Sequence, residues 1–222
     1  MNGIGAGLRR AAACALLLLL TACATNRSYV SLEVPVAAVA GQGDKIAVIG
    51  EVNDRREFQE NPDDPSVPSL KKGAEYALDA EGRKSAIARK RNGYGKVIGD
   101  IQLQPPQTVV SIARQLVADG LQQRGYRVLA DGETATGDAL RVDVDIREFW
   151  AWLTPGFWSI GLEAKINTLL KFSGAHSGDA EVAAYAEKRA QTGVEDNWKE
   201  TYDRAFRDYL QKQQASLQAE GL

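Results

Sequence analysis

Few side chains in this 222-residue sequence have the type and spacing that catalysis requires. The only histidine, His176, lies in a glycine- and serine-rich stretch, and a triad would also need a partnered serine and an orienting acid. Asp143 and Asp145 share one face of a strand, about 7 Å apart, but they alternate with arginines on that face. This pattern favours a charge-balanced, solvated surface over a paired-carboxylate site. We therefore predict that the protein has no catalytic residues and is not an enzyme.

Composition argues against several further classes of function. One histidine and two cysteines are too few for a multi-histidine metal centre, a zinc finger or a disulfide scaffold. Lys plus Arg is 27 and Asp plus Glu is 29, so the basic excess of a nucleic-acid binder is missing. The Gly-x-Gly stretches at 41–43 and 93–95 lack the strand-to-helix context of a phosphate loop. We predict no metal, no cofactor and no nucleic-acid partner.

Cys23 stands in the clearest chemical context in the sequence. Two arginines precede an apolar run over residues 11–20, which is too short to span a bilayer but typical of a secretory signal. The run leads into Leu20-Thr21-Ala22-Cys23, which resembles the bacterial lipobox. The resemblance implies that the Cys23 thiol, whose thiolate is the required nucleophile, is alkylated by diacylglycerol. The chain is then cut before Cys23, and the new amine is acylated, as with palmitate.

The resemblance to a lipobox predicts where the protein is located. Residues 1–22 are the predicted signal peptide, and Cys14 would leave with them, so no free thiol would remain. Each buried CH₂ contributes about 0.8 kcal/mol, so three acyl chains hold a protein permanently. By resemblance to sorted lipoproteins, Ala24 favours the outer membrane over the inner one. We predict a membrane anchored domain on the periplasmic side of the outer membrane.

The remaining chain is predicted to form a tether and one domain. Residues 23–44 indicate a lipidated N-terminus and flexible tether, with a short strand at 29–34 as an alternative, and residues 45–222 a single periplasmic domain. Strands are predicted at 45–52, 97–103, 140–147 and 158–172, the last two from alternating apolar residues. Three prolines predict a loop over 55–72. The basic segment 83–96 favours a solvated loop, with attraction to anionic headgroups as the alternative.

Two amphipathic helices are predicted. Thr108 is a candidate N-cap for a helix that ends before Gly125, and Asp196 is a candidate cap for a second helix. Residues 180–191 fit either a helix, because of their alanines, or a hairpin strand. We therefore expect an α+β fold with an antiparallel sheet of about 4–6 strands and two amphipathic helices packed on one face.

The stretch 149–158 contains three of the four tryptophans. Alternation predicts that Trp150, Trp152 and Trp158 extend the inward row of a strand, which would make them an aromatic cap of the core. The alternative is an exposed hairpin tip that also includes Phe157. Such a tip would contact a partner, a ligand or a membrane interface. The sequence leaves both interpretations open.

The chain resembles the YajG-like family of bacterial outer-membrane lipoproteins. The resemblance is carried by a D-x-R strand end at 54–56, an N-x-x-G segment within 91–95, and an L-x-x-x-G-Y-x-V element at 121–128. A hairpin and a C-terminal helix follow in the same order. The family is functionally uncharacterised, so the resemblance implies a location and a fold rather than a reaction. The aromatic hairpin departs from the family pattern.

These observations predict a lipid-anchored outer-membrane lipoprotein with a non-enzymatic binding or accessory domain in envelope maintenance or transport. Its partners would be the membrane and an envelope protein complex or cell-wall glycan. One alternative is an auxiliary lipoprotein of an ABC-type lipid transporter, which needs an inner-membrane partner. A less favoured alternative is a cell-wall-modifying enzyme. That enzyme would require Asp143, His176 and a serine to converge in one cleft.

Overall fold

A computed structural model describes residues 27–36, 43–70, 78–91, 97–130, 132–133 and 138–222. The predicted signal peptide and Cys23 lie outside the described residues. The strands are β1 Arg27–Val30, β2 Ile46–Asp54, β3 Gln59–Glu60, β4 Ser69–Leu70, β5 Ala86–Arg91, β6 Val97–Leu103, β7 Arg127–Val128, β8 Leu140–Thr154, β9 Ile160–Gly174 and β10 Gly178–Ala190. The helices are α1 Ala80–Ser85, α2 Val109–Gln123 and α3 Glu195–Ala219.

The long strand β8 organises an eight-stranded mixed sheet. On one edge β8 pairs with β9, and β9 pairs with β10, both antiparallel. The other edge is divided: β2 runs parallel to its first half, and β5 meets its second half at Ala88 and Ala151. β7 continues the sheet beyond β2, and β6 and β1 continue it beyond β5.

The prediction of a wholly antiparallel sheet of 4–6 strands is wrong. Four of the strand pairs in the eight-stranded sheet are parallel, namely β1–β6, β2–β7, β2–β8 and β5–β8. Parallel pairs join segments separated by long connections, so no local turn signal reveals them. The predicted loop 55–72 also contains the small parallel pair β3–β4.

Both predicted amphipathic helices are confirmed, and both pack with the same core on one face of the sheet. Thr108 caps α2 through a reciprocal capping box with Ser111. α3 begins earlier than predicted: Val194 is its N-cap, without a side-chain hydrogen bond, and Asp196 lies in the first turn. An acidic residue there still favours the helix, because it faces the positive end of the helix dipole.

The ambiguous segment 180–191 is a strand, β10. Its buried face consists of Ala180, Val182, Ala184 and Ala186, and α3 packs against it. The small side chains leave room for the large residues of the helix. The fully buried residues of α3 include Trp198, Tyr202, Phe206 and Tyr209.

Part of the predicted flexible tether belongs to the domain. β1 pairs with β6, so ordered structure precedes the predicted domain start at residue 45. After β1, the Gln107 side-chain amide binds both backbone groups of Leu32. It accepts a hydrogen bond from Leu32 N at 3.0 Å and donates one to Leu32 O at 2.7 Å. Residues 37–42 and the chain before Arg27 lie outside the described residues.

The basic segment is also not the predicted loop. Residues 80–91 form α1 and β5, and Arg89 is buried against Asp100 and the Ser69 carbonyl. Burial lowers the pKa of the Arg89 guanidinium, and the Asp100 carboxylate opposes that shift. Arg27 of β1 binds the same carboxylate at 3.0 Å, so one buried acid joins three strands. Residues 92–96 lie outside the described part.

Arg56 fills the point where β2 separates from β8 and β5 approaches. Its side chain is fully buried, and Nε and Nη2 bind the Asp54 carboxylate at 2.9 and 2.8 Å. Nη1 donates to the carbonyls of Ala86 at 2.7 Å and Phe149 at 3.1 Å, and Nη2 donates to Arg83 O at 2.6 Å. All five N–H groups of the guanidinium therefore have acceptors.

We expect Arg56→Met to lower the free energy of unfolding by about 3 kcal/mol or more, because it leaves two strand carbonyls and a carboxylate without their donor. The matched control is Arg55→Met. Arg55 is solvent-exposed and lies 3.8 Å from Asp145, so its loss should cost less than about 1 kcal/mol. Urea unfolding of both variants measures the difference, and equal destabilisation would contradict this account of the divided edge.

Candidate functional site

A β-bulge decides where the aromatic residues of β8 point. Ile146 pairs with Thr168 of β9 and Glu148 pairs with Asn167, so Arg147 is an extra residue in β8. An extra residue reverses the alternation of every side chain that follows. The strand therefore presents different sets of residues to the helices before and after the bulge.

The helix-covered core shows this reversal. Up to Ile146 the even-numbered residues are inward, whereas Phe149 and Ala151 are inward after the bulge. Trp150 and Trp152 consequently lie on the opposite face of the sheet. The prediction that these two tryptophans extend the inward row is wrong. In the sequence, the bulge is indicated by the apolar residues Ile146 and Phe149, which are three positions apart and so break the period of two.

Trp150 and Trp152 form a second, smaller core under the segment 55–70. They are 1% and 6% exposed and pack with Leu78 and Ala86. The indole N–H of Trp150 donates to Pro65 O at 3.2 Å. Both side chains are packed within the protein itself, and Trp150 also lines the cleft between this segment and the sheet.

Phe157 and Trp158 occupy the turn between β8 and β9 and are 90% and 83% exposed. Their rings meet edge to face, with centroids 4.8 Å apart. The prediction that Trp158 belongs to the inward row is wrong, because β9 begins only at Ile160. Gly156 allows the tight turn, since a Cβ there would lie 2.3 Å from Ser159 O. We call residues 155–159 the hairpin tip.

An open cleft of about 610 Å³ lies between the segment 55–70 and the sheet. Its charged residues are Arg55, Glu57, Arg147, Glu148 and Lys165. The cations already have partners: Arg55 with Asp145 at 3.8 Å, Arg147 with Glu181 at 3.4 Å, and Lys165 Nζ 5.3 Å from the Trp152 ring centre. The mixed, compensated charge favours no particular ligand.

The two aspartates share a face as predicted, and each has a cationic partner. Asp143 binds Arg141 at 2.8 Å, and Asp145 binds Lys171 at 2.7 Å. The Lys171 hydrogen bond is the largest cause that lowers the pKa of Asp145. Asp145 is therefore held in its ionised form, which makes it an acceptor rather than a proton donor.

His176 lies in the turn between β9 and β10, at the far end of these strands from the hairpin tip. Its Nε2 is 3.3 Å from a carboxylate oxygen of Glu220, and its ring packs against Phe172. In the described ranges, no three His, Cys, Asp or Glu side chains are placed to hold a metal ion. Among the helices that the structure describes, none is long and apolar enough to cross a membrane.

The structure defines a mixed α/β domain with an exposed aromatic hairpin tip. No family model and no curated protein matches this sequence, so the YajG-like resemblance is not confirmed. A Xanthomonas campestris protein of the family DUF330 has 11% identity and a TM-score of 0.47, with 86% of this chain and 92% of that chain covered.

Two further solved structures show weaker likeness. An uncharacterised protein has 11% identity and a TM-score of 0.44, with 89% of this chain and 99% of that chain covered. A provisionally assigned lipoprotein of Caulobacter crescentus has 14% identity and a TM-score of 0.26, with 50% and 83% covered. Structural similarity this low gives no information about the function of this chain.

We expect the two groups of tryptophans to differ sharply on truncation. Trp150→Ala should lower the free energy of unfolding by about 3–5 kcal/mol, because it empties the second core. Trp158→Ala should change it by no more than about 0.5 kcal/mol, because the side chain is exposed. Urea unfolding followed by circular dichroism gives both values. A large loss for Trp158→Ala would place that residue in a core and contradict the described hairpin tip.

Proposed function

We propose that this chain is a lipid-anchored outer-membrane lipoprotein, attached through Cys23. Its periplasmic domain is non-enzymatic and serves as a binding or accessory module in envelope maintenance or transport. The hairpin tip is the contact site of this module. Phe157 and Trp158 take this role, while Trp150 and Trp152 support the sheet that carries the tip.

The observation that carries the proposal is the exposure of Phe157 and Trp158. Among the described residues they are the most exposed aromatic side chains. Aromatic side chains bury about 150–250 Å² each when covered, and each Å² of apolar surface removed from water contributes about 25 cal/mol. A contact that covers both rings therefore gains substantial free energy without disturbing the core.

The charged groups support binding over catalysis. Asp143 and Asp145 each form an ion pair with a cationic side chain, and His176 contacts the Glu220 carboxylate. His176 also lies at the opposite end of the strands from the hairpin tip. Their arrangement stabilises strand faces and turns. It differs from the convergent cleft that a cell-wall-modifying enzyme would need.

We expect Cys23→Ala to abolish acylation and release the protein from the membrane, because the thiol is the alkylated group. Metabolic labelling with palmitate and membrane fractionation measure both effects. The matched control is Cys14→Ala, which removes the other cysteine but should leave labelling and attachment unchanged. Palmitate on the Cys23→Ala variant would contradict the proposed anchor.

We expect Ala24→Asp to move the protein from the outer to the inner membrane, because an aspartate after the lipidated cysteine favours retention there by resemblance to sorted lipoproteins. Density-gradient separation of the two membranes gives the location. Wild-type protein in the inner membrane would contradict the outer-membrane location. Recovery of one inner-membrane transport complex on crosslinking would favour an auxiliary lipoprotein of an ABC-type lipid transporter instead.

A further inference from the structure

The strand registers show at which end of the domain β1 begins. β1 runs parallel to β6, with Arg27 opposite Asp100, and β6 runs antiparallel to β5, with Asp100 opposite Arg89. β5 runs parallel to β8, with Ala88 opposite Ala151. β1 therefore begins at the end of the sheet where β8 ends. That end carries the hairpin tip.

The distances also agree. Cys23 precedes Arg27 by four residues, so the lipidated residue lies within about 14 Å of Arg27 whatever its path. The pairing of neighbouring strands places Arg27 at the same position along the strand direction as Trp152 of β8. The hairpin tip starts three residues after Trp152. Three residues of strand correspond to about 10 Å. Four residues of chain are therefore long enough for Cys23 to reach the level of the hairpin tip along the strand direction.

A contact outside the sheet confirms this common end. The Ser28 hydroxyl donates to the carboxylate of Glu195, the first residue of α3. The exposed Val194 precedes that residue. Gly193 lies close to Leu153 near the end of β8. One end of the domain thus combines the start of β1, the start of α3 and the hairpin tip.

We propose that Phe157 and Trp158 insert into the interface of the same bilayer that holds the lipid of Cys23. This inference rests on the proposed lipid anchor and names the occupant of the tip. Tryptophan suits the boundary between headgroups and acyl chains, because its ring is apolar and its N–H is polar. The tip is a second attachment point, and it fixes how the domain stands on the membrane.

The short connection favours the membrane over a protein as the occupant. An anchor within about 14 Å of Arg27 holds this end of the domain against the lipid surface, so the exposed rings face that surface first. Charges of both signs flank the end, with Arg189 and Asp196 both strongly exposed. Insertion should therefore depend on the apolar rings and not on anionic lipid.

Tryptophan fluorescence of the full lipidated chain tests the proposal. The protein is purified from bacterial envelopes and reconstituted into phosphatidylcholine vesicles, with and without bromine on the acyl chains. Trp158 is the one exposed tryptophan, since Trp150, Trp152 and Trp198 are buried. We expect emission to shift to shorter wavelength, bromolipid to quench it, and soluble iodide to lose access. Trp158→Ser should remove all three effects.

A matched control places a tryptophan at the other end. Val36 is 88% exposed and lies beside α2, past the end of β1 that leads away from the tip. In a Trp158→Ser background, Val36→Trp should remain accessible to iodide and escape bromolipid quenching. This variant reports exposure equal to that of the tip without membrane insertion.

The outcomes separate the two proposals. Wild-type protein that fails to float with vesicles would refute the lipid anchor. Protein that floats, but whose Trp158 is as accessible to iodide as the tryptophan at position 36, would leave the anchor intact and overturn the insertion. A photo-crosslinker at position 157 that captures one protein in native envelopes, and not lipid, would also overturn it in favour of a protein partner.

Discussion

The divided edge of β8 is the constraint on which the rest of the structure depends. β2 leaves this edge at Ile146, and β5 meets it only at Ala151. The strand carbonyls in the gap cannot use a neighbouring strand, so the Arg56 guanidinium supplies their donors. A buried cation is costly on its own, but Asp54 compensates its charge, and every N–H has an acceptor.

The bulge at Arg147 occurs at this same point, and it has a structural consequence for both faces of the sheet. Because the alternation reverses, Phe149 faces the helices, whereas Trp150 and Trp152 lie on the other face of the sheet. Exposed there, they would form a large apolar patch. The segment 55–70 covers them, and the cleft beside this segment is the space left where the cover ends. The segment and the cleft therefore lie on the face to which the extra residue turns these two tryptophans.

Local patterns predicted the elements that depend on local physics. The capped helix at Thr108, the alternating strands β8 and β9, and the apolar face of α3 all carry their own signal. The sequence indicates β1 only through the alternative strand at 29–34 and does not indicate β5, because both strands are joined to the sheet through Asp100, a partner distant in sequence. The D-x-R pattern at 54–56 was visible, but its acceptors lie about 30 and 93 residues away. The sequence predicts that the tip is aromatic, but the bulge and the start of β9 determine which of its rings are exposed.

The proposed anchor would give the long strands a direction relative to the membrane. β8 and β9 have 15 residues each, so they extend about 50 Å from the hairpin tip. α3 has 25 residues, or about 37 Å, and runs along the same axis from the same end. A domain held at the tip end by a lipid and two aromatic rings would stand upright on the membrane. The turn that contains His176, and the C-terminal end of α3 beside it, would then be the surfaces that reach farthest from the bilayer. In this proposed orientation, the strands and α3 would hold those surfaces away from the bilayer, so the domain itself would span the distance.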